Sequence, residues 1–295
     1  MKIELATDGS AGSTAAAQFL VANFVPDGST PVHVVTVDER PGPGDAASPI
    51  EDLGAAELPM DSPLRPATEV LRRHAFPTTA AVLRDHPERA IAEYAGAAGV
   101  DLVVVGSRGL HGWRRLVAGS VSSGVVRASP APVLVAGSAG RIGRVIVGYD
   151  GSGASRAALQ AAARLQFASA PEFVVCVAYE AKPPLASGLA PTMLAAAEEA
   201  YAADLDAAEE AARETAREGV ALLAAAGIAA SSIVVHGPPP DVLLDLAARD
   251  IPSLIVVGDR GRSPLKRLVL GSTSASLLGA GHVDVLVAHA AAGLA

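Results

Sequence analysis

The sequence is poor in cysteine and in aromatic residues. It has one cysteine, Cys176, among 295 residues, and aromatic side chains make up 3% of the chain. A single cysteine excludes an intrachain disulfide. Its setting in the apolar run 173–177 indicates a buried core thiol rather than a nucleophile, which needs an exposed, electropositive environment. Hydrophobic residues make up 50% of the chain, and they are mainly Ala, Val and Leu. These side chains suit buried parallel strands and closely packed helices, so the composition points to an α/β fold.

The chain also lacks an excess of positive charge and long apolar runs. Its formal net charge is −8, which argues against non-specific binding to nucleic acid. No uncharged apolar run is long enough to span a bilayer, and residues 1–5 enter a strand pattern without a signal peptide. The seven histidines show no metal-ligand spacing. We therefore expect a cytoplasmic protein that binds neither nucleic acid nor membranes and that has no metal site of its own.

The chain contains an internal duplication. A shift of 152 positions places residues 101–136 on 253–288, and 17 of these 36 aligned positions are identical. Residues 6–10 match 148–152 at a shift of 142, so the second copy has ten additional residues in its middle. Such self-similarity indicates two copies of one structural module.

The small residues of the stretch 137–140 suit a connection between the two copies. We therefore predict one domain at residues 1–138 and a second at 141–295.

Short β-rich runs alternate with helical patterns in both copies, which is typical of a parallel, doubly wound sheet. We predict two tandem five-stranded parallel sheets, Rossmann-like or flavodoxin-like, with strand order 3-2-1-4-5 and related by a pseudo-two-fold axis. The predicted strands lie near 3–7, 32–37, 79–83, 101–105 and 132–136, and near 144–148, 173–178, 231–235, 253–257 and 283–288. The predicted helices begin near Ser13 and Ala154, near Pro87 and Pro239, and after Gly119 and Gly271.

The middle segments of the two copies differ. Residues 38–66 are rich in proline and show little periodicity, so we predict a long loop before a short helix at 66–75. The second copy instead runs as one Ala/Glu/Arg-rich helix over 191–226, which contains the ten additional residues.

A glycine motif follows the fourth strand of each copy. Gly106 and Gly109 are followed after nine residues by Gly119, and Gly258 and Gly261 are followed after nine residues by Gly271. Glycine lets the backbone turn its N–H groups inward, and the helix that begins after the last glycine favours an anion at its N-terminus. Because ligands of open α/β sheets bind beyond the carboxyl ends of the strands, each motif predicts a phosphate-binding site.

The motif resembles that of tandem universal stress proteins, in which Gly-x2-Gly-x9-Gly-Ser/Thr marks the ATP-binding branch of the family. The Asp-Gly-Ser sequences that begin at Asp8 and Asp150 add to the resemblance, which covers nearly the whole chain. It implies an adenine nucleotide, ATP with Mg²⁺, in each copy. It also implies that the last strands of the two modules pair with each other, or with a second chain in a homodimer.

The resemblance implies two matching sets of nucleotide-binding residues. In the first copy they are Ala6, Thr7, Asp8, Val37, Gly106, Arg108, Gly109, Gly119, Ser120, Val121 and Ser122. In the second copy they are Gly148, Tyr149, Asp150, Val177, Gly258, Arg260, Gly261, Gly271, Ser272, Thr273 and Ser274.

Two features leave alternatives open. Asp8 and Asp150 suit the N-terminus of the following helix as well as a nucleotide pocket. After the third strand, the first copy has Asp85 where the second has Gly237, and an acidic residue there would weaken a phosphate site.

The sequence has no catalytic signature. It lacks the G-x4-G-K-S/T motif and the S-G-G-x-D motif of adenylating relatives, and it shows no general base poised for a water molecule. We expect a nucleotide-dependent stress or regulatory protein with slow or no hydrolysis. A weak ATPase and a scaffold with vestigial sites are the alternatives, and a backbone cradle does not separate ATP from AMP or a cyclic nucleotide.

Overall fold

The computed structural model describes residues 1–26, 30–38, 50–53, 58–107, 120–181, 191–249, 251–260 and 270–289. The first copy contains β1 (Ile3–Ala6), α1 (Ala11–Asn23), β2 (Val32–Asp38), β3 (Ile50–Leu53), α2 (Arg65–Arg73), β4 (Thr78–Arg84), α3 (Pro87–Ala98), β5 (Leu102–Gly106), α4 (Ser120–Ala128) and β6 (Val133–Ala136). The second contains β7 (Arg144–Gly148), α5 (Gly153–Arg164), β8 (Glu172–Tyr179), α6 (Pro191–Ala225), β9 (Ala230–His236), α7 (Pro239–Ala247), β10 (Ser253–Gly258), α8 (Ser272–Ala280) and β11 (Asp284–Ala288).

The described strands form one sheet in the order β3-β4-β2-β1-β5-β6-β11-β10-β7-β8-β9. Within each copy this is the predicted order 3-2-1-4-5, with every predicted strand present and parallel to its neighbours. The strand β3 was not predicted. It pairs antiparallel with β4 at the edge of the sheet and lies inside the segment predicted to be a loop, because its strand conformation comes from a partner about thirty residues away.

The two copies are joined through β6 and β11, which pair antiparallel. Leu134 lies opposite Leu286. These residues occupy the same position in the duplication, so a local two-fold axis passes between them, as predicted. The two five-stranded units therefore form one continuous sheet rather than separate sheets. Because the joining pair is antiparallel, the strands of the two copies run in opposite directions. The carboxyl ends of the strands therefore lie at one end of the sheet in the first copy and at the opposite end in the second.

Helices cover both faces of the sheet. Buried residues of α1, α2, α5 and α6 form one hydrophobic cluster that runs across both copies, and buried residues of α3, α4, α7 and α8 pack on the other face. The helix α6 has the predicted length, and it packs on the sheet through its C-terminal half, where Ala212, Ala216 and Leu223 are buried. No described helix is both long and apolar enough to cross a membrane.

The connection between the copies is held by two buried polar side chains. The amide of Asn23 accepts a hydrogen bond from the N–H of Ile142 at 2.8 Å and donates to the carbonyl of Gly140 at 3.0 Å. The carboxylate of Asp284 accepts bonds from the N–H groups of Gly137 and Ser138 at 2.7 and 3.0 Å. The small-residue stretch is therefore a fixed part of the structure and not a flexible tether.

Glu4 is a buried carboxyl in the central strand of the first copy. It is fully inaccessible to solvent, and neither carboxylate oxygen has a hydrogen-bond partner among the described residues. The second copy has the buried Ile146 at this position. Burial raises the pKa of Glu4 from 4.5 to about 9, so the side chain is neutral at physiological pH.

We predict that Glu4→Ile raises the stability of the protein and reduces its pH dependence. The native state keeps a proton that the unfolded state loses, so Glu4 lowers the stability progressively as the pH rises from about 4.5 toward about 9. At pH 7 this cost is roughly 3 kcal/mol. Urea unfolding between pH 5 and pH 8.5 should show the slope for the native chain and a smaller one for Glu4→Ile and Glu4→Gln. An unchanged slope in both variants, with the exposed Glu199→Gln as control, would contradict the prediction.

Two residues of the first copy adopt backbone conformations that glycine adopts in the second. Ala75 has φ 62° where Gly227 has φ 80°, and Asp85 has φ 148° where Gly237 has φ 140°. Ala75 and Gly227 both follow a helix, and the same pair of backbone hydrogen bonds ends that helix in each copy. A Cβ atom is unfavourable at a positive φ, so the first copy is strained at both positions.

We predict that Ala75→Gly and Asp85→Gly each stabilise the protein, by about 1 kcal/mol, because they relieve this strain. The ion pair between Asp85 and Arg89 is exposed and its loss should cost little. Chemical denaturation would measure both effects. The reverse change Gly227→Ala should destabilise, as should Ala211→Gly within α6, which controls for the general cost of glycine. Destabilisation by both first-copy variants would show that the strain is absent.

Candidate nucleotide-binding site

A cavity of about 540 Å³ lies at the carboxyl ends of β7, β8 and β10 in the second copy. It is the position at which open α/β sheets bind ligands. The cavity is lined by Gly148, Tyr149, Asp150, Ser155, Cys176, Ala178, Pro239, Leu243, Val257, Gly258, Arg260, Leu270, Gly271, Ser272, Thr273 and Ser274. It brings together nine of the eleven residues predicted for this copy, all except Val177 and Gly261, and it includes seven further residues that the sequence did not indicate.

One end of the cavity is formed by the N-terminus of α8. Gly271 precedes the helix, and its N–H donates to the carbonyl of Asp259 at 2.7 Å. The hydroxyl of Ser274 donates to the same carbonyl at 3.2 Å. The first turn contains no acidic residue and no side chain caps it, so the N–H groups at Ser272 and Thr273 and the positive end of the helix dipole face the cavity. This end suits a phosphate group.

A second part of the wall, the apolar end, is lined by apolar side chains. It is formed by side chains of β8, β10 and α7, among them Cys176, Ala178, Leu243 and Val257. Cys176 is buried as predicted, and burial raises the pKa of its thiol to about 12, so it is a neutral wall residue. The strand residues of this wall follow from side-chain alternation along β8 and β10, but the contribution of α7 depends on how that helix packs.

Asp150 lines the cavity and also shapes the turn before α5. Its Oδ1 accepts the N–H of Ser152 at 3.0 Å. The N-cap of the helix is Ser152 itself, whose hydroxyl accepts the N–H of Ser155. Asp8 makes the same bond to Ser10 in the first copy. Each aspartate therefore orders the turn rather than capping the helix directly, and in the second copy the carboxylate stands beside the cavity.

Val177 is not among the residues that line the cavity. Its side chain belongs to the core on the opposite face of the sheet, because neighbouring residues of a strand point to opposite sides. Cys176 and Ala178, on either side of it, line the cavity instead. The register of β2 and β8 within the sheet places Val37 at the position of Ala178, so the two valines predicted as a pair are not equivalent.

In the first copy the described site residues lie at the corresponding strand ends. Ala6 ends β1, Gly106 ends β5, and Ser120 begins α4. Thr7 contacts the hydroxyl of Ser13 at 2.9 Å. The remaining described residues of the set are Asp8 and Val37 together with Val121 and Ser122 in the first turn of α4. Arg108, Gly109, Gly119 and Gly261 lie outside the described residues.

Gly106 and Gly258 have a packing role. A Cβ atom at Gly258 would lie 2.6 Å from the backbone carbon of Ala154, and one at Gly106 would lie 2.7 Å from the carbonyl oxygen of Gly12. Each strand end therefore touches the first turn of the helix that follows the first strand of its copy. These glycines are needed for the close approach, whether or not a ligand binds.

Comparison with known proteins identifies relatives of both copies. A family model described as the universal stress protein family matches residues 1–137 and again 141–289. A universal stress protein from Synechocystis sp. is 32% identical over 133 residues, which is 45% of this chain and 41% of that protein. The chain thus spans less than half the length of this curated relative.

Solved structures share the whole architecture. A functionally unknown protein from Pseudomonas aeruginosa PAO1 is 17% identical with a TM-score of 0.59, over 98% of this chain and 92% of that one. A universal stress protein from Archaeoglobus fulgidus is 19% identical with a TM-score of 0.55, over 98% of this chain and 96% of that one. At these identities the likeness shows the fold, including both copies.

We predict that Gly258→Ala destabilises the protein even without ligand, by about 2 kcal/mol or more, because the contact atoms are backbone and cannot move aside. Denaturation of the nucleotide-free protein would measure this. Gly153→Ala is a suitable control, since a Cβ there meets nothing within 4 Å. Unchanged stability of Gly258→Ala would show that this glycine serves the ligand and not the packing.

Proposed function

Since the chain belongs to the universal stress protein family, we propose that it is an adenine-nucleotide-binding regulatory protein that takes Mg-ATP in the cavity of its second copy. One observation carries the proposal: a single cavity at the carboxyl ends of the strands is lined both by the N-terminus of α8 and by apolar side chains. A nucleotide has the same division into an anionic and an apolar end. A role in the response to stress is also part of the proposal, and it is supported only by membership of the family.

The phosphate end fits a chain of phosphate groups. The backbone N–H groups at Ser272 and Thr273 have no helical acceptor, and the hydroxyls of Ser272 and Thr273 add further donors. Arg260 supplies a positive charge at the same end. Among the described residues no group of three His, Cys, Asp or Glu side chains is placed to hold a metal ion. Mg²⁺ would therefore be held by the phosphate oxygens and water, and it would offset their charge.

The apolar end fits the base, and Asp150 fits the ribose. An ionised carboxylate has only acceptor oxygens, so it can accept hydrogen bonds from both ribose hydroxyls. The cavity volume of about 540 Å³ lies in the range of sites for ligands of this size.

We propose binding with slow or no hydrolysis rather than an ATPase. The only carboxylate on the described wall of the cavity is Asp150, and one of its oxygens already accepts the N–H of Ser152. A general base must lie within hydrogen-bond reach of the attacking water, directly or through one further water. The scaffold alternative is weaker, because the N-terminus of α8, Arg260 and the hydroxyls of Ser272 and Thr273 all line one cavity in the second copy.

We propose that the first copy binds more weakly. Asp85 lies where the second copy has Gly237, at the turn before α3, and its carboxylate accepts the N–H of His86 at 2.6 Å. This places a negative charge at the start of the helix that corresponds to α7, whose first residue Pro239 lines the second cavity. The two modules, at residues 1–138 and 141–295, would then act as one strong and one weak site.

Titration calorimetry of the nucleotide-stripped protein with Mg-ATP tests the proposal. Hydrogen exchange of peptides covering 270–280 and 120–128 assigns any binding to the second or the first copy. We expect one strong site, whose occupation protects the peptide 270–280 from exchange. Weaker binding that protects the peptide 120–128 would show a second site in the first copy. A folded protein that binds neither ATP nor AMP would end the nucleotide proposal.

We predict that Ser272→Pro weakens Mg-ATP binding about tenfold or more without unfolding α8, since it removes one charge-assisted hydrogen bond to phosphate. Proline is tolerated at the first position of a helix, and Gly271 before it has φ −61° and ψ 152°, which a residue before proline readily adopts. Calorimetry measures the affinity, and Ser272→Ala separates the hydroxyl from the N–H group. Equal affinities for native protein and Ser272→Pro would exclude the helix N-terminus as the phosphate site.

A further inference from the structure

A cluster of charged and polar side chains around the buried Asp259 adjoins the phosphate end of the second cavity and has no counterpart in the first copy. Asp259 follows β10, Arg260 lines the cavity, and His289 follows β11. The first copy has Ser107 and Gly137 at the positions of the aspartate and the histidine. The cluster therefore belongs to the second site alone.

A single carboxylate oxygen organises the cluster. Oδ2 of Asp259 accepts hydrogen bonds from Nε and Nη2 of Arg260 at 3.1 and 2.9 Å. Nδ1 of His289 lies 3.4 Å from the same oxygen. Burial would raise the pKa of Asp259, but the hydrogen bonds from His289 and Arg260 outweigh it and lower the pKa, so the carboxylate is ionised.

The cluster contributes little to the stability of the fold. Oδ1 of Asp259 and Nε2 of His289 are buried with no hydrogen-bond partner within the described parts of the chain. Unsatisfied buried polar atoms cost stability, and buried ion pairs often stabilise less than apolar side chains of the same volume. What the cluster does provide is a fixed orientation of Arg260, the residue that lines the cavity.

The orientation leaves one edge of the guanidinium directed away from the carboxylate. The contact with Asp259 uses the edge formed by Nε and Nη2. The edge formed by Nη1 and the second N–H of Nη2 is not used by that contact, and its two donors match two oxygens of a phosphate. A guanidinium held in place loses less side-chain entropy when it binds than one that is free in solvent.

We propose that Asp259 is a positioning residue that holds Arg260 against the outer phosphates and thereby makes the second site prefer a nucleoside triphosphate to a monophosphate. The inference rests on the proposed function. It assigns the preference to a residue that is not one of the glycines of the motif, and it separates the two copies by their selectivity as well as by their affinity.

The experiment compares Asp259→Ser, which introduces the first copy's residue, with the native chain. Affinities for Mg-ATP and for AMP are read at the second site from hydrogen exchange of the 270–280 peptide. We expect Asp259→Ser to weaken Mg-ATP binding about tenfold and to change AMP binding less than about twofold, because one oriented charge-assisted contact is lost. The exposed Asp245→Ser removes the same charge from the same copy and should change neither affinity.

A double-mutant cycle with Arg260→Gln shows whether the aspartate acts through the arginine. Arg260→Gln alone should weaken Mg-ATP binding, and Asp259→Ser should then have no further effect. Equal losses for ATP and AMP, with lower stability in urea, would indicate a purely structural role and overturn the inference. Tighter ATP binding by Asp259→Ser would overturn it too, since Asp259 would then compete with phosphate for Arg260. If the native chain binds neither nucleotide, the proposed function fails first and the inference falls with it.

Discussion

The antiparallel pairing of β6 with β11 is the interaction on which the rest of the structure depends. It places two identical strand positions, Leu134 and Leu286, opposite each other and turns two half-sheets into one sheet. A buried apolar strand at the edge of a five-stranded sheet would expose its backbone to other chains. Here each copy covers that edge of the other, so the pairing removes the exposed edge and extends one hydrophobic cluster across both copies.

The same pairing constrains the connection and the sites. Since the strands of the two copies run in opposite directions across the junction, their carboxyl ends lie at opposite ends of the sheet. The short connection must then cross the junction in a defined path, and Asn23 and Asp284 fix this path by hydrogen bonds to its backbone. The two proposed nucleotide sites would therefore lie at opposite ends of the sheet, and any communication between them would have to pass through the shared core.

The duplication provides an internal comparison for each residue. Where the copies differ at one structural position, the difference has a physical consequence that can be read from the other copy. The first copy has a carboxyl at Glu4 where the second has an apolar residue, and it has side chains at Ala75 and Asp85 where the second has glycine. The second copy has its own cost, the buried Asp259 beside Arg260, but that cost lies at a cavity. The costs of the first copy lie in the packing and the turns.

The sequence by itself determined the duplicated module, the ten strands of the two parallel units, and the glycines that end strands and begin helices. These features depend on local propensity and on apolar periodicity, both of which are properties of neighbouring residues. Only the tertiary structure decided that β3 is a strand, that Val177 faces away from the cavity, and that Asp259 meets His289. Each of these depends on which residue distant in the chain lies alongside. Strand pairing, the face of the sheet on which a side chain lies and the contacts of a buried charge are set by packing between distant parts of the chain. No short segment of sequence determines that packing.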